Sequence, residues 1–140
     1  MATTVKNIPI GITFPLRDGK AGYFEQSTDS FTAYRMNIVN LLRTRQGERR
    51  MNPTFGSRLW TAVFDQNDDF VAQKVENIIR EDVSQWIPGI TVKSVDVKYL
   101  NDDQSTDLRD IYKLYIVVSF VIDSISEEDS VELTLDVNKV

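Results

Sequence analysis

The chain has 140 residues, enough for one domain with its own hydrophobic core, and it contains neither cysteine nor histidine. These absences exclude disulfides, iron–sulfur clusters, thiol catalysis, the usual zinc ligands and histidine-based acid–base triads. The net charge of −5 hides an asymmetry, because residues 1–64 carry nine Lys/Arg against four Asp/Glu (+5) and residues 65–140 carry seven against seventeen (−10).

The composition also indicates where the protein is located and what kind of partner it binds. No apolar run approaches the roughly 18 residues of a membrane span, and the start has no leader-like pattern, so we expect a cytoplasmic product without a membrane span. The arginines are concentrated in one short stretch instead of being spread with aromatics over a surface, which disfavours nucleic acid as a partner. A carboxylate of another protein, or of this chain itself, is the better candidate.

The first third of the chain predicts an extended segment and then a helix. Residues 10–16 mix β-branched and aromatic residues, which is typical of a short extended segment. The helix should end near Thr44, since apolar residues recur at helical spacing up to that point. Its N-cap candidates are Ser27, Asp29 and Ser30, and its apolar residues are Phe31, Tyr34, Ile38, Leu41 and Leu42.

The stretch "LLRTRQGERRMNPTFGSRLW" (residues 41–60) holds five arginines and one glutamate. Gly47, Pro53 and Gly56 are too many breakers for a long helix, although residues 57–64 could form a short one. The charged side chains of this stretch are therefore expected on irregular backbone.

A second long helix and three strands are predicted after this stretch. The acidic residues 65–69 favour a helix start, and Pro88-Gly89 favours its end. The apolar residues between them, at helical spacing, are Phe70, Val71, Val75, Ile78, Ile79, Val83 and Trp86. The stretches "ITVKSVDVKYL", "DIYKLYIVVSFVID" and "VELTLDV" alternate or run apolar and predict an antiparallel meander with the middle strand central. We expect a single α+β domain, residues 1–140, with the two main helices on one face of the sheet.

Catalytic and metal-binding interpretations of the acidic residues are weak. Glu48 could serve a glycosidase as its acid, but the neighbouring arginines favour its ionised form, which cannot donate a proton. "DQNDD" and "NDDQSTD" could bind calcium or magnesium, yet neither has the loop pattern of a known calcium site. The aromatics Phe55, Trp60, Phe64, Phe70 and Trp86 are more typical of core than of a ligand site. We expect no catalytic residue, no metal and no cofactor.

The last predicted strand has two distinct faces. Its apolar face is Val131, Leu133, Leu135 and Val137, and its polar face is Glu132, Thr134, Asp136 and Asn138. Such a strand is either an edge guarded by charge or a platform for pairing with another chain. The pattern alone favours the guarded edge.

Three segments resemble the baseplate wedge proteins of contractile phage tails, the gene 25-like or GPW group, which is related to a type VI secretion baseplate component. "GITFPLRDGKAGYF" resembles the opening segment of that family, and "FDQNDD" resembles the start of its second helix. The most specific match is "LLRTRQGERRMNPTFGSRL", in which Gly47-Glu48-Arg49 is followed by Pro53 and Phe55-Gly56 at the spacing of the family hallmark.

The resemblance implies a structural role in a virion tail baseplate that is assembled in the host cytoplasm. It implies docking on a helical bundle of larger wedge subunits through Arg45, Glu48, Arg49, Arg50 and Pro53, with Arg49 or Arg50 as the motif arginine. It also implies that Val131, Leu133, Leu135 and Val137 pair with a strand of the tail sheath protein. The tail tube is a further candidate partner. Alternatives are a tail lysozyme, a type VI secretion component and a protease anti-adaptor.

Overall fold

The computed structural model describes residues 9–20, 23–63, 69–100 and 113–136. In these ranges, helices precede a three-stranded antiparallel sheet near the C-terminus, which confirms the predicted α+β fold. The chain divides into two compact units, Met1–Asn37 and Ile38–Val140. The single domain stays a prediction.

The first unit contains a small antiparallel pair of strands, β1 (Gly11–Ile12) and β2 (Gln26–Ser27). The sequence predicted the extended segment but not its partner strand. Helix α1 (Ser30–Arg43) follows, and its cap is Asp29, whose Oδ2 accepts a hydrogen bond from the Thr32 amide at 3.0 Å. This bond holds the pKa of the Asp29 carboxyl below its ordinary value.

The second unit is built on helix α3 (Asp69–Trp86), which ends before Pro88-Gly89 as predicted. The short helix α2 (Leu59–Val63) packs on α3, and α3 packs on the first strand of the sheet. The C-terminal half of α1 adds Ile38, Leu41 and Leu42 to the core, all fully buried. The buried apolar residues of α2 and α3 are Leu59, Ala62, Val71, Val75, Ile78, Ile79 and Val83.

Phe70 does not belong to the buried face of α3, so its assignment to the core was wrong. Its side chain is 74% exposed, whereas Val71 is 5% exposed. One residue corresponds to about 100° around an α-helix, which turns Phe70 away from the stripe formed by Val71, Val75 and Ile79. Helical spacing predicted the buried stripe of α3, but Phe70 lies just outside that stripe.

The sheet has the order β3 (Ile90–Leu100), β4 (Lys113–Ile122), β5 (Glu127–Asp136), with β4 in the middle as predicted. Side chains of one face are buried and come from all three strands: Ile90, Val92, Leu114, Ile116, Val118, Phe120, Ile122, Val131, Leu133 and Leu135. The paired residues Ile116 and Leu133 are typical of this face. The core of this unit therefore includes one face of the sheet.

Strand β5 begins four residues earlier than the predicted start at Val131. The acidic residues 127–129 were assigned to a loop, but the regular register with β4 continues through them to the pair Ile122 and Glu127. The turn closes tightly at Ser126, whose amide donates to the Ile122 carbonyl at 2.7 Å. A short turn leaves these residues within reach of β4, so backbone pairing overrides their low strand propensity.

Candidate functional site

The arginine-rich stretch forms a loop, residues 44–58, between α1 and α2, which we call the arginine loop. Its two ends lie side by side, because the Ser57 amide donates to the Thr44 carbonyl at 2.8 Å and Arg45 forms a parallel bridge with Ser57. Further along, the Gly47 amide donates to the Pro53 carbonyl at 2.8 Å. The irregular backbone predicted for this stretch is therefore closed by its own hydrogen bonds.

Gly56 permits the close approach of the two ends. Its φ is +123°, a region that side chains rarely adopt, and a Cβ there would lie 2.7 Å from the carbonyl carbon of Arg45. Backbone at that distance cannot move aside without opening the bridge between Arg45 and Ser57. A glycine is thus required at this position for the loop to close.

A buried carboxylate on α3 holds the base of the arginine loop. Asp82 is 3% exposed, and its Oδ2 accepts hydrogen bonds from the Ser57 hydroxyl at 2.7 Å and from the Arg58 amide at 3.2 Å. The Ser57 Oγ in turn accepts from the Leu59 amide at 3.1 Å, as an N-cap does at a helix start. Asp82 therefore ties the loop and the start of α2 to α3.

Arg58 belongs to this internal network. Its Nη2 lies 2.6 Å from Glu81 Oε2 and 3.3 Å from Asp82 Oδ1. The hydrogen bond to Glu81 and the charge of Asp82 raise the pKa of the Arg58 guanidinium above its ordinary value. Arg58 is therefore the arginine of the stretch whose guanidinium pairs with carboxylates of α3.

Glu48 shapes the turn that precedes the tip of the loop. Its Oε2 accepts a hydrogen bond from the Arg45 amide at 3.0 Å, and its own amide donates to the Arg45 carbonyl at 3.1 Å. The sequence placed Glu48 among arginine side chains, but the hydrogen-bond partner of its carboxylate is a backbone amide. The Arg45 side chain instead covers Trp60, with its guanidinium carbon 4.2 Å from the ring centre.

Arg49 is supported by an aromatic pair. Its guanidinium carbon lies 4.1 Å from the centre of the Phe55 ring, and Phe55 meets Trp86 edge-on with ring centres 5.2 Å apart. Stacking uses the face of the guanidinium and leaves the N–H groups at its rim available for a carboxylate. Arg50 and Met51 follow at the tip, both exposed, and Met51 is 98% exposed.

The structure thus brings the five predicted docking residues into one loop but gives them different surroundings. Arg45 is half-buried against an aromatic ring, whereas Glu48, Arg49, Arg50 and Pro53 are exposed. The sequence pattern assigned Phe55, Trp60 and Trp86 to the core but did not predict their contacts with the loop arginines or with each other, and it did not single out Asp82. A signal for Asp82 existed, since this acid falls on the buried stripe of α3.

The predicted pairing strand is β5, and its apolar side chains face the core. Val131, Leu133 and Leu135 are 7%, 2% and 2% exposed, opposite Val118, Ile116 and Leu114 of β4. Val137 lies outside the described residues. The side chains of Val131, Leu133 and Leu135 are therefore not a contact surface themselves, and β5 presents its backbone edge and its polar face to a partner.

The remaining sequence expectations concern metal binding, the acidic stretches and membrane spans. The described residues contain no group of three or more Asp or Glu arranged to hold a metal ion. "NDDQSTD", most of "DQNDD" and Phe64 lie outside the described residues. None of the described helices is long and apolar enough to cross a membrane.

The sequence profile of the family called "Baseplate wedge protein gp25" matches residues 34–126, more than half of the chain. The chain belongs to the baseplate wedge protein gp25 family. The match contains the whole arginine loop and ends just before β5 begins. The resemblance noted in the sequence is confirmed, and the chain is a baseplate component of the contractile-tail type, in a virion or a related particle.

Two solved structures share the fold with this gp25 family member. A proposed tail lysozyme from Geobacter sulfurreducens is 21% identical, with a TM-score of 0.64, 76% of this chain covered and 90% of that chain. A chain of the anti-feeding prophage baseplate is 18% identical, with a TM-score of 0.64, 80% of this chain covered and 83% of that chain. No curated protein gives a significant match. At these identities the two structures show the fold alone.

Proposed function

We propose that this gp25 family member docks on a helical bundle of larger wedge subunits through the arginine loop and initiates the contractile sheath through β5. The observation that supports docking is the clamp of buried Asp82 on Ser57 and Arg58, which fixes the base of an otherwise exposed loop. A loop that is ordered before binding loses less conformational entropy in the complex.

The chemistry of the loop fits acidic partner helices. Arg49 lies over Phe55, so its rim of N–H donors is oriented before a carboxylate arrives. Arg50 adds a second exposed cation, and Glu48 holds the turn before them through the Arg45 amide. Other wedge subunits that carry Asp or Glu on a helix are therefore the proposed partners, and the tail tube is a further proposed partner within the same particle.

The sheath part of the proposal rests on the edge of β5. In the described part of the chain β5 pairs with β4 alone, so its other edge presents backbone donors and acceptors. A donated strand would extend the sheet and satisfy them. Assembly would take place in the host cytoplasm, and a type VI secretion or other contractile particle would use the same two surfaces.

Charge reversal of the loop arginines tests docking. Arg49→Glu or Arg50→Glu should weaken binding to the wedge subunits at least about tenfold, because each places a carboxylate against an acidic partner. The free energy of unfolding should fall by no more than about 1 kcal/mol, since both side chains are exposed. Size-exclusion chromatography of wedge complexes and denaturant unfolding measure the two quantities.

Arg17→Glu is the matched control, because Arg17 is exposed in the other compact unit. It should leave wedge binding unchanged. If Arg49→Glu unfolds the protein, the arginine is an internal support and the docking role is wrong.

We also propose that the chain is not a hydrolase, although one structural neighbour is described as a proposed tail lysozyme. Glu48 is exposed and hydrogen-bonded to a backbone amide, whereas the acid of a glycosidase lies in an apolar pocket. Purified protein should therefore release no peptidoglycan fragments across about pH 4 to 8. Turnover that disappears in Glu48→Gln would show that the alternative is right.

A further inference from the structure

The two edges of the sheet are unequal. Strand β3 carries a bulge between Val92 and Ser94, and the Arg80 guanidinium donates to the carbonyls of Val92 and Lys93 at 2.6 and 2.7 Å. Glu76 holds Arg80 in place at 2.8 Å. A bulge and an occupied pair of carbonyls make β3 a poor template for another strand. Strand β5 has a register without shifts over all its paired residues.

Strand β5 is strongly acidic. Between Glu127 and Asp136 it carries five acids and no lysine or arginine. Glu128, Ser130, Glu132 and Thr134 form its exposed polar face. Neither Glu128 nor Glu132 forms an ion pair with a lysine or arginine of the described residues. This face thus presents negative charge to any strand that pairs with the open edge of β5.

We propose that β5 receives a partner strand that alternates apolar side chains with lysine or arginine. The apolar positions would extend the buried face formed by Val131, Leu133 and Leu135, and the cations would lie beside Glu128 and Glu132. This inference rests on the proposed pairing of β5 with the sheath and adds the chemistry of the partner.

The same charges argue against a second copy of this chain as the occupant. Two β5 strands paired edge to edge would bring ten acids together with no lysine or arginine in either strand, and like charges on neighbouring strands destabilise the pair. The acidic edge therefore disfavours self-association and favours a cationic strand.

Two synthetic peptides test the proposal on the full chain. One alternates valine with lysine and the other valine with glutamate, each over about nine residues, the length of an ordinary strand. Backbone amide shifts followed by NMR should change along β5 and not along β3. The lysine peptide should bind about tenfold more tightly at low salt, and the ratio should shrink as ionic strength rises. Equal affinities, or no shift along β5 with the lysine peptide at about millimolar concentration, overturn the proposal.

Variants of the polar face decide whether the named acids cause the preference. Glu128→Lys with Glu132→Lys should reverse it, and Glu128→Gln with Glu132→Gln should abolish it without reversal. Asp96→Lys is the matched control, since Asp96 is exposed on β3, and it should leave the preference unchanged. An unchanged preference in the double lysine variant contradicts the assignment.

The experiment separates this inference from the proposed sheath role. Particles assembled with the double glutamine variant should form sheath less efficiently than wild type, while Leu135→Pro should form none. If the glutamine variant forms sheath normally and Leu135→Pro does not, strand pairing stands and the charge preference is wrong. If both form sheath, the proposed function of β5 fails as well.

Discussion

The arginine loop and strand β5 present their binding groups in opposite ways. The loop offers side chains on irregular backbone, and it depends on Gly56, Ser57 and Asp82 to hold that backbone in one conformation. Strand β5 offers the backbone itself, while its apolar side chains are buried against β4. Loss of one side chain can therefore disable the loop, whereas β5 should fail only when its backbone pairing or its charge pattern is changed.

A backbone change in β5 should have the largest effect of all. Leu135→Pro removes an amide donor and distorts the strand, so we expect baseplates that carry tubes but no sheath, seen by negative-stain microscopy. Leu135→Ala removes the same buried side chain, at a cost of about 2–5 kcal/mol, but keeps the amide. It should retain the sheath in folded particles. Full-length sheaths with Leu135→Pro would show that β5 is only a guarded edge.

A side-chain change at the base of the arginine loop should have the second largest effect. Asp82→Ala removes the partner of Ser57 and Arg58, and we expect the free energy of unfolding to fall by about 2–4 kcal/mol. Wedge binding should weaken with it, since the loop loses its fixed base. Denaturant unfolding followed by circular dichroism provides the measurement.

Glu81→Ala is the control for this effect. Glu81 also pairs with Arg58, but its side chain is 67% exposed, so its loss should cost no more than about 1 kcal/mol. Similar losses in the two variants would mean that the burial of Asp82 is not what holds the loop.

The smallest effect should come from the contact between Tyr115 and Glu132, which links β4 to β5. The hydrogen bond to the Glu132 carboxylate raises the pKa of the Tyr115 hydroxyl above its ordinary value. The hydrogen bond that raises this pKa stabilises the fold at pH values below the unfolded pKa of about 10. Its contribution to stability disappears as the pH rises through the folded pKa. The melting temperatures of wild type and Tyr115→Phe should therefore converge in alkaline solution. Parallel curves across that range would contradict the contact.

The sequence determined the elements and the family because both depend on local pattern. The apolar stripe of α3, apart from Phe70, the alternation of β5 and the glycine and proline breakers of the loop are spacings along the chain, and they were predicted correctly. The hallmark around Glu48 and Pro53 identified the family for the same reason.

Only the tertiary structure decided how the surfaces are built. The clamp joins Ser57 to Asp82, 25 residues apart, and the pairs of Arg45 with Trp60 and Arg49 with Phe55 depend on how the loop closes. No spacing predicts such contacts, since a loop without a repeat has no fixed geometry until its ends are tied. The early start of β5 and the unequal edges of the sheet likewise follow from register and from the reach of Arg80, which are properties of neighbours in space.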